Sequence, residues 1–138
     1  MMLDAELSLR AAIRTAILAD QTLSASLNGG VYDEAPRHAV LPYVSYADVS
    51  LRDWSAGADH GFEHEFVLDI WSASPGTRET IEIADLIVAL LAKSPLQLQR
   101  HSLVDLRFIS FEAGRLANGR VARGRLRFRA VTEVKQGG

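Results

Sequence analysis

Residues 122–132 read ARGRLRFRAVT, with an arginine at every second position from Arg123 through Arg129. This pattern constrains the fold more than any other stretch. Like charges four apart repel one another on a helix, whereas on a strand residues of one parity stand about 6.6 Å apart along a single face. Arg123, Arg125, Arg127 and Arg129 then form a ladder on one side, while Leu126, Phe128 and Ala130 form an apolar row on the other. Such a strand belongs to a sheet with one face packed and one face polar.

A partner of opposite sign lies upstream. In FEHEFVLDIWS, residues 62–72, Phe62, His64, Phe66, Leu68 and Ile70 share one parity, and Glu63, Glu65 and Asp69 share the other. Side by side, the two strands would turn an apolar face toward helices and a salt-bridged face outward, each cross-strand charge pair contributing about 0.2–1 kcal/mol. The alternative is a nucleic-acid platform, which calls for aromatic rings among the arginines to stack bases. Phe128 lies on the opposite parity and no recognition-helix pattern is present, so sequence-specific DNA reading is disfavoured. The same polarity runs through the whole chain. Residues 1–99 hold 6 Lys/Arg against 14 Asp/Glu, residues 100–138 hold 9 against 3, and the net charge of −2 conceals two halves that attract each other.

The remaining elements follow from periodicity. Leu3 to about Ala19 reads as a helix, with Leu9, Ala12, Ile13, Ala16 and Ile17 on one side. A short turn through Leu23 and Leu27 stops at Asn28-Gly29-Gly30. A brief strand at Val31–Asp33 precedes a proline-punctuated loop and a strand from Tyr43 to about Leu51. After the polar excursion RDWSAGADHG and the acidic strand, Ser74 is expected to cap a helix with Pro75 at its first position. That helix runs through TIEIADLIVALLA to Ser94-Pro95; its second half is apolar almost all round and predicts burial between layers. Strands at about 103–112 and 121–134 close the chain, joined by a turn at Asn118-Gly119, and Gln136-Gly137-Gly138 reads as a frayed end. The expected fold is α+β: one domain over residues 1–138, an antiparallel sheet of about four strands with helices packed on one face.

Chemistry is thinly represented. With no cysteine, disulfides, thiolate metal sites and cysteine nucleophiles are excluded, which fits a protein made in a reducing cytosol. No leader-like opening and no apolar run of about 20 residues is present, so neither secretion nor membrane spanning is expected. His60 and His64 have zinc-chelating spacing only on a helix; on a strand, residues four apart are separated by more than about 10 Å. His38 and His101 read as surface residues. No nucleophile, phosphate-binding or metalloprotease motif occurs, and no catalytic residue, cofactor or metal is expected. Trp54, an indole in a polar loop, is either tucked onto the domain or offered to a partner. Trp71 shares the parity of the acidic face.

Three blocks taken in order carry a resemblance: VYDEAPRHAVLPYVSY at 31–46, FVLDIWSASPGTRETIEIADLIVALL at 66–91, and GRLRFRAVTE at 124–133. Together they resemble the phage tail terminator (tail-completion) proteins, a family found also in gene transfer agents. Leu41-Pro42-Tyr43, Asp69-Ile70-Trp71 and Phe128-Arg129-Ala130 are the most telling pieces, while the 52–61 loop and the 113–119 turn are poorly matched. The resemblance implies a tail-terminator-like α+β subunit of a hexameric ring at the head-proximal end of a virion tail. That ring halts tube polymerisation and offers a docking surface to the neck. Implied partners are copies of the chain itself, the tail tube protein, a neck or head–tail connector protein, and DNA passing through the channel without sequence-specific binding. The resemblance further implies no membrane partner and assembly in the bacterial host cytoplasm. The implied site is an interface, and its candidate residues are Arg52, Trp54, Glu63, Glu65, Asp69, Arg123, Arg125, Arg127 and Arg129.

In such a ring every exposed arginine repeats six times, and an unpaired ladder would grip DNA through counterion release. Most of the ladder is therefore expected to pair with acids, either on the 62–72 strand or on the adjacent copy. A head–tail connector or head-completion subunit is the alternative reading, and a small metal- or ligand-binding enzyme domain using His60 and His64 a second one.

Overall fold

The computed structural model describes residues 3–135 apart from 56, 58, 94 and 118. Helix α1 (Asp4–Ala19) and the short α2 (Gln21–Leu27) precede strands β1 (Val31–Tyr32), β2 (Tyr43–Asp53) and β3 (Gly61–Ser72). Helix α3 (Arg78–Lys93) then leads to β4 (His101–Arg115) and β5 (Ala122–Val134). The strands form one five-stranded sheet in the order β1-β2-β3-β5-β4. Every neighbouring pair is antiparallel except β1 with β2, where Val31 and Tyr32 run parallel to Val44 and Ser45. The sheet is thus mixed rather than all antiparallel, and the brief segment at Val31 joins it as a fifth strand where about four were expected.

The expected alternation on β3 and β5 holds. Phe66 lies opposite Phe128 and Leu68 opposite Leu126, with the Phe66 and Phe128 rings stacked at 5.5 Å. Against this row pack Leu9, Ile13 and Ile17 of α1, Leu23 and Leu27 of α2, and Ile83, Ile87 and Leu91 of α3. The four-residue spacing on α1 gives it a single buried stripe. Asp20 caps α2 by accepting the Leu23 N–H at 3.0 Å, and the helix ends where Asn28 turns left-handed.

Helix α3 differs from the sequence expectation in its start and in its burial. Ser74 and Pro75 do not start it, because Gly76 adopts φ +74°, outside the helical region; the first turn is closed instead by Ile81 N–H donating to the Thr77 carbonyl. Ser74 N–H is held by the Ser72 hydroxyl at 3.1 Å. The apolar second half of α3 is buried on one face only, since Leu86, Val88 and Leu90 are half-buried. Close approach of α3 to the sheet depends on Gly124, where an added Cβ would stand 2.8 Å from Phe111 Cε1 and 3.0 Å from Thr80 Cβ. Lys93 ends the helix; Ser94, Asn118 and the terminal 136–138 segment lie outside the described residues. No described helix is long and apolar enough to cross a membrane.

Candidate assembly surface

The face of the sheet away from the helices carries the arginine ladder. In register, β5 sets Arg129 opposite Glu65, Arg127 opposite Val67, Arg125 opposite Asp69 and Arg123 opposite Trp71. Arg125 meets Asp69 in a two-pronged contact, Nε to Oδ1 at 2.9 Å and Nη2 to Oδ2 at 3.2 Å. This fork geometry is the strongest form of the pair. The hydrogen bond to Asp69 raises the Arg125 pKa above its ordinary value, so this cation stays charged throughout the accessible range. Asp48, on the bulged part of β2, adds a longer contact of 3.6 Å.

Arg129 passes over its direct neighbour Glu65 and reaches diagonally to Glu63, Nη2 to Oε2 at 2.7 Å. On its other side it approaches Asp105 of β4 at 3.7 Å, and Asp105 is also held by Arg107 at 2.8 Å. Charges of alternating sign therefore run across three strands. Arg123 uses neither acid: its guanidinium sits 6.0 Å from the centre of the Trp71 ring. Trp71 is fixed in turn by donating from Nε1 to the Ser45 hydroxyl at 2.9 Å and by stacking on Tyr43. Arg127 makes no ion pair or hydrogen bond among the described residues. Of the two places expected to supply the ladder's partners, β3 within the same copy does so for Arg125 and Arg129.

The other candidate residues lie on the same sheet but apart from that network. Glu65 is exposed and Arg52, opposite Glu63 in the ladder, is exposed as well; neither makes an ion pair among the described residues. Trp54 follows the last residue of β2, donating its backbone N–H to the Gly61 carbonyl at 2.9 Å, with its side chain 43% exposed.

Sequence reasoning missed a second polar system, on the helix side. His101 is buried rather than surface-placed: Nε2 lies 3.0 Å from Asp4 Oδ1, and Arg100 holds Oδ2 of the same carboxylate at 2.9 Å. His64 is fully buried, with Nδ1 3.2 Å from Glu6 Oε2 and Nε2 2.8 Å from Thr132 Oγ1. A carboxylate only accepts, so Nδ1 is the donor to Glu6. The two histidines pin the first turn of α1 to β3 and β4. The legible signals were two acids, Asp4 and Glu6, in the first turn of α1, and the shared core parity of His101 and Leu103. Tyr46 adds a third link, donating its hydroxyl to the Arg10 carbonyl at 2.6 Å; burial pushes its pKa well up.

His60 is exposed and does not join His64, and no group of three or more His, Asp or Glu side chains among the described residues suits a metal ion. A cleft of about 1010 Å³ between α1 and the α3 end is lined by apolar and small residues such as Leu7, Ala11 and Leu90 together with polar ones such as Ser8, Gln97 and Gln99. Of the charged groups that line it, Asp4 and Arg100 are paired to each other, and Asp20 and Lys93 line it as well.

A helix-backed sheet whose outer charged face is partly paired within the chain defines a small α+β fold. Likeness to known proteins specifies it further. The family model described as tail completion protein gp17 matches residues 11–133, and the chain belongs to that family. Among solved structures it is similar to a chain of the virion of a native gene transfer agent particle, with 30% identity, a TM-score of 0.83, and coverage of 91% of this chain and 95% of that one. No curated protein matches. The protein is therefore a structural tail-completion protein of a virion.

Proposed function

We propose that copies of this chain form a homohexameric ring on the head-proximal end of the tail tube, stop tube polymerisation and join the tail to the neck, without catalysis. The observation that carries the reading is the near end-to-end likeness to a gene transfer agent virion chain, beside the tail-completion family match. The whole of residues 1–138 acts as one subunit in this reading. Its partners are the tube protein, a neck protein and neighbouring copies, with Arg52, Trp54 and Glu65 available at those contacts.

The state of the arginine ladder supports a conduit for DNA. With Arg125 and Arg129 neutralised by Asp69 and Glu63, the counterion-release affinity of the ladder is reduced to what Arg123 and Arg127 contribute. DNA then passes without being held.

Deletion of the coding sequence from the producing genome, followed by electron microscopy, tests the proposal. Overlong or unjoined tails beside filled heads support it. Normal tails with leaky heads would point to head completion instead.

A further inference from the structure

We propose that a small hollow beside the β4–β5 turn is a seat for a phosphate group, held by Arg115 and Arg123. The seat lies within one copy of the chain, so it stands or fails independently of the ring.

The hollow measures about 280 Å³. That is room for a phosphate group and a few waters, each water needing about 30 Å³. Glu112, Gly114 and Arg115 of β4 line it, with Arg123 and Arg125 of β5. Gly114 stands opposite Arg123 in the ladder, and a Cβ added at Gly114 would meet nothing within 4 Å. The missing side chain therefore keeps the space beside Arg123 open.

Two of the three guanidiniums keep their charge uncancelled. Arg123 rests against the Trp71 ring, and its guanidinium makes no hydrogen bond or ion pair among the described residues. Its five N–H donors are free for an anion. Arg115 is held by backbone carbonyls, those of Ser74 at 3.2 Å, Gly76 at 3.4 Å and Gly119. Neutral carbonyls fix the group in place without cancelling its charge, which is the preorganisation a binding site requires. Arg125 differs, because Asp69 neutralises it; Asp69 and Asp48 both lie on its β3 side, away from the hollow. One acid, Glu112, lines the hollow, opposite Arg125 in the ladder. Cations on two strands reach a tetrahedral oxyanion from two sides, and the guanidinium fork matches phosphate oxygens. A phosphate dianion gains from both charges, a halide or a monocarboxylate less.

Trp71 reports on the seat, because the Arg123 guanidinium lies 6.0 Å from the centre of its ring. The chain has two tryptophans, so Trp54→Phe leaves Trp71 as the only indole signal. In that background inorganic phosphate should give a saturable emission change at constant ionic strength, and chloride and acetate should not. Titration calorimetry of the parent chain supplies the affinity without relying on the ring. Arg123→Gln should weaken binding about tenfold, and Glu112→Gln should tighten it by a similar factor. Gly114→Leu keeps every charge and fills the hollow, so it should weaken binding as much as Arg123→Gln. Arg127→Gln, on the ladder but outside the hollow, should leave it unchanged. Displacement of phosphate by a short DNA oligonucleotide assigns the seat to a nucleic-acid backbone, and failure to displace assigns it to free phosphate; both results support it. An equal response to chloride, equal weakening by Arg127→Gln, or no tightening by Glu112→Gln would overturn it.

Discussion

Arg125 and Asp69 stand directly opposite each other on β5 and β3, joined by two hydrogen bonds, with the aspartate side chain 6% exposed and the arginine 22%. The imbalance in burial makes the pair asymmetric. Arg125→Ala strands an almost fully buried carboxylate and is expected to cost about 3 kcal/mol or more. Asp69→Ala leaves a guanidinium that reaches water and Asp48, and should cost about 1–2 kcal/mol. Urea denaturation of the two variants side by side measures the difference; equal costs would mean the pair is solvated like a surface bridge.

The ladder should not respond uniformly. Arg127 has no ionic partner among the described residues, so Arg127→Ala is expected to stay within about 0.5 kcal/mol of the parent. Arg129→Ala breaks the 2.7 Å contact to Glu63 and loosens Asp105, for about 1 kcal/mol. The same denaturation series resolves both values.

On the helix side, His64 fills space and satisfies two buried groups, so His64→Ala combines a cavity with an orphaned Glu6. A loss of about 2–4 kcal/mol is expected, while His60→Ala, at an exposed site, should be close to neutral. Zinc addition or chelator treatment should leave the melting temperature of the parent chain unchanged. A metal-dependent shift lost in both histidine variants would instead favour the ligand-binding alternative.

Asp4 sets an acid dependence. Its hydrogen bond to His101, with Arg100 nearby, holds its pKa below the ordinary value of 3.8. A carboxylate with a depressed folded-state value stabilises the fold fully above its ordinary value and loses that contribution as pH falls through the depressed one. Stability should therefore drop from about pH 4 downward, and Asp4→Asn should flatten the slope in that window, measured by thermal melts across acidic buffers.

Much of this arrangement is legible in the order of residues alone. Period-two alternation on β3 and β5 determines which side chains face the helices, and opposite charge on the polar parity predicts that these strands lie together. Other features depend on information a linear pattern does not hold. The parallel β1 pairing rests on two residues, too few to carry a period. Ser74-Pro75 has the local chemistry of a helix start, yet Gly76 takes a backbone conformation no helix contains, which moves the start to Arg78. His101 reads as a surface residue because its satisfying partner, Asp4, is 97 positions away. The choice of Glu63 over Glu65 by Arg129 is likewise a matter of twist and diagonal reach, which residue parity does not encode.

Where this chain sits, and in how many copies, separates the ring from every alternative. An averaged electron cryo-microscopy map of the intact particle, focused on the capsid–tail junction, measures both. Six copies in a ring on the last tube layer is the predicted result; density for this fold elsewhere in the particle, or in a different number of copies, would contradict it.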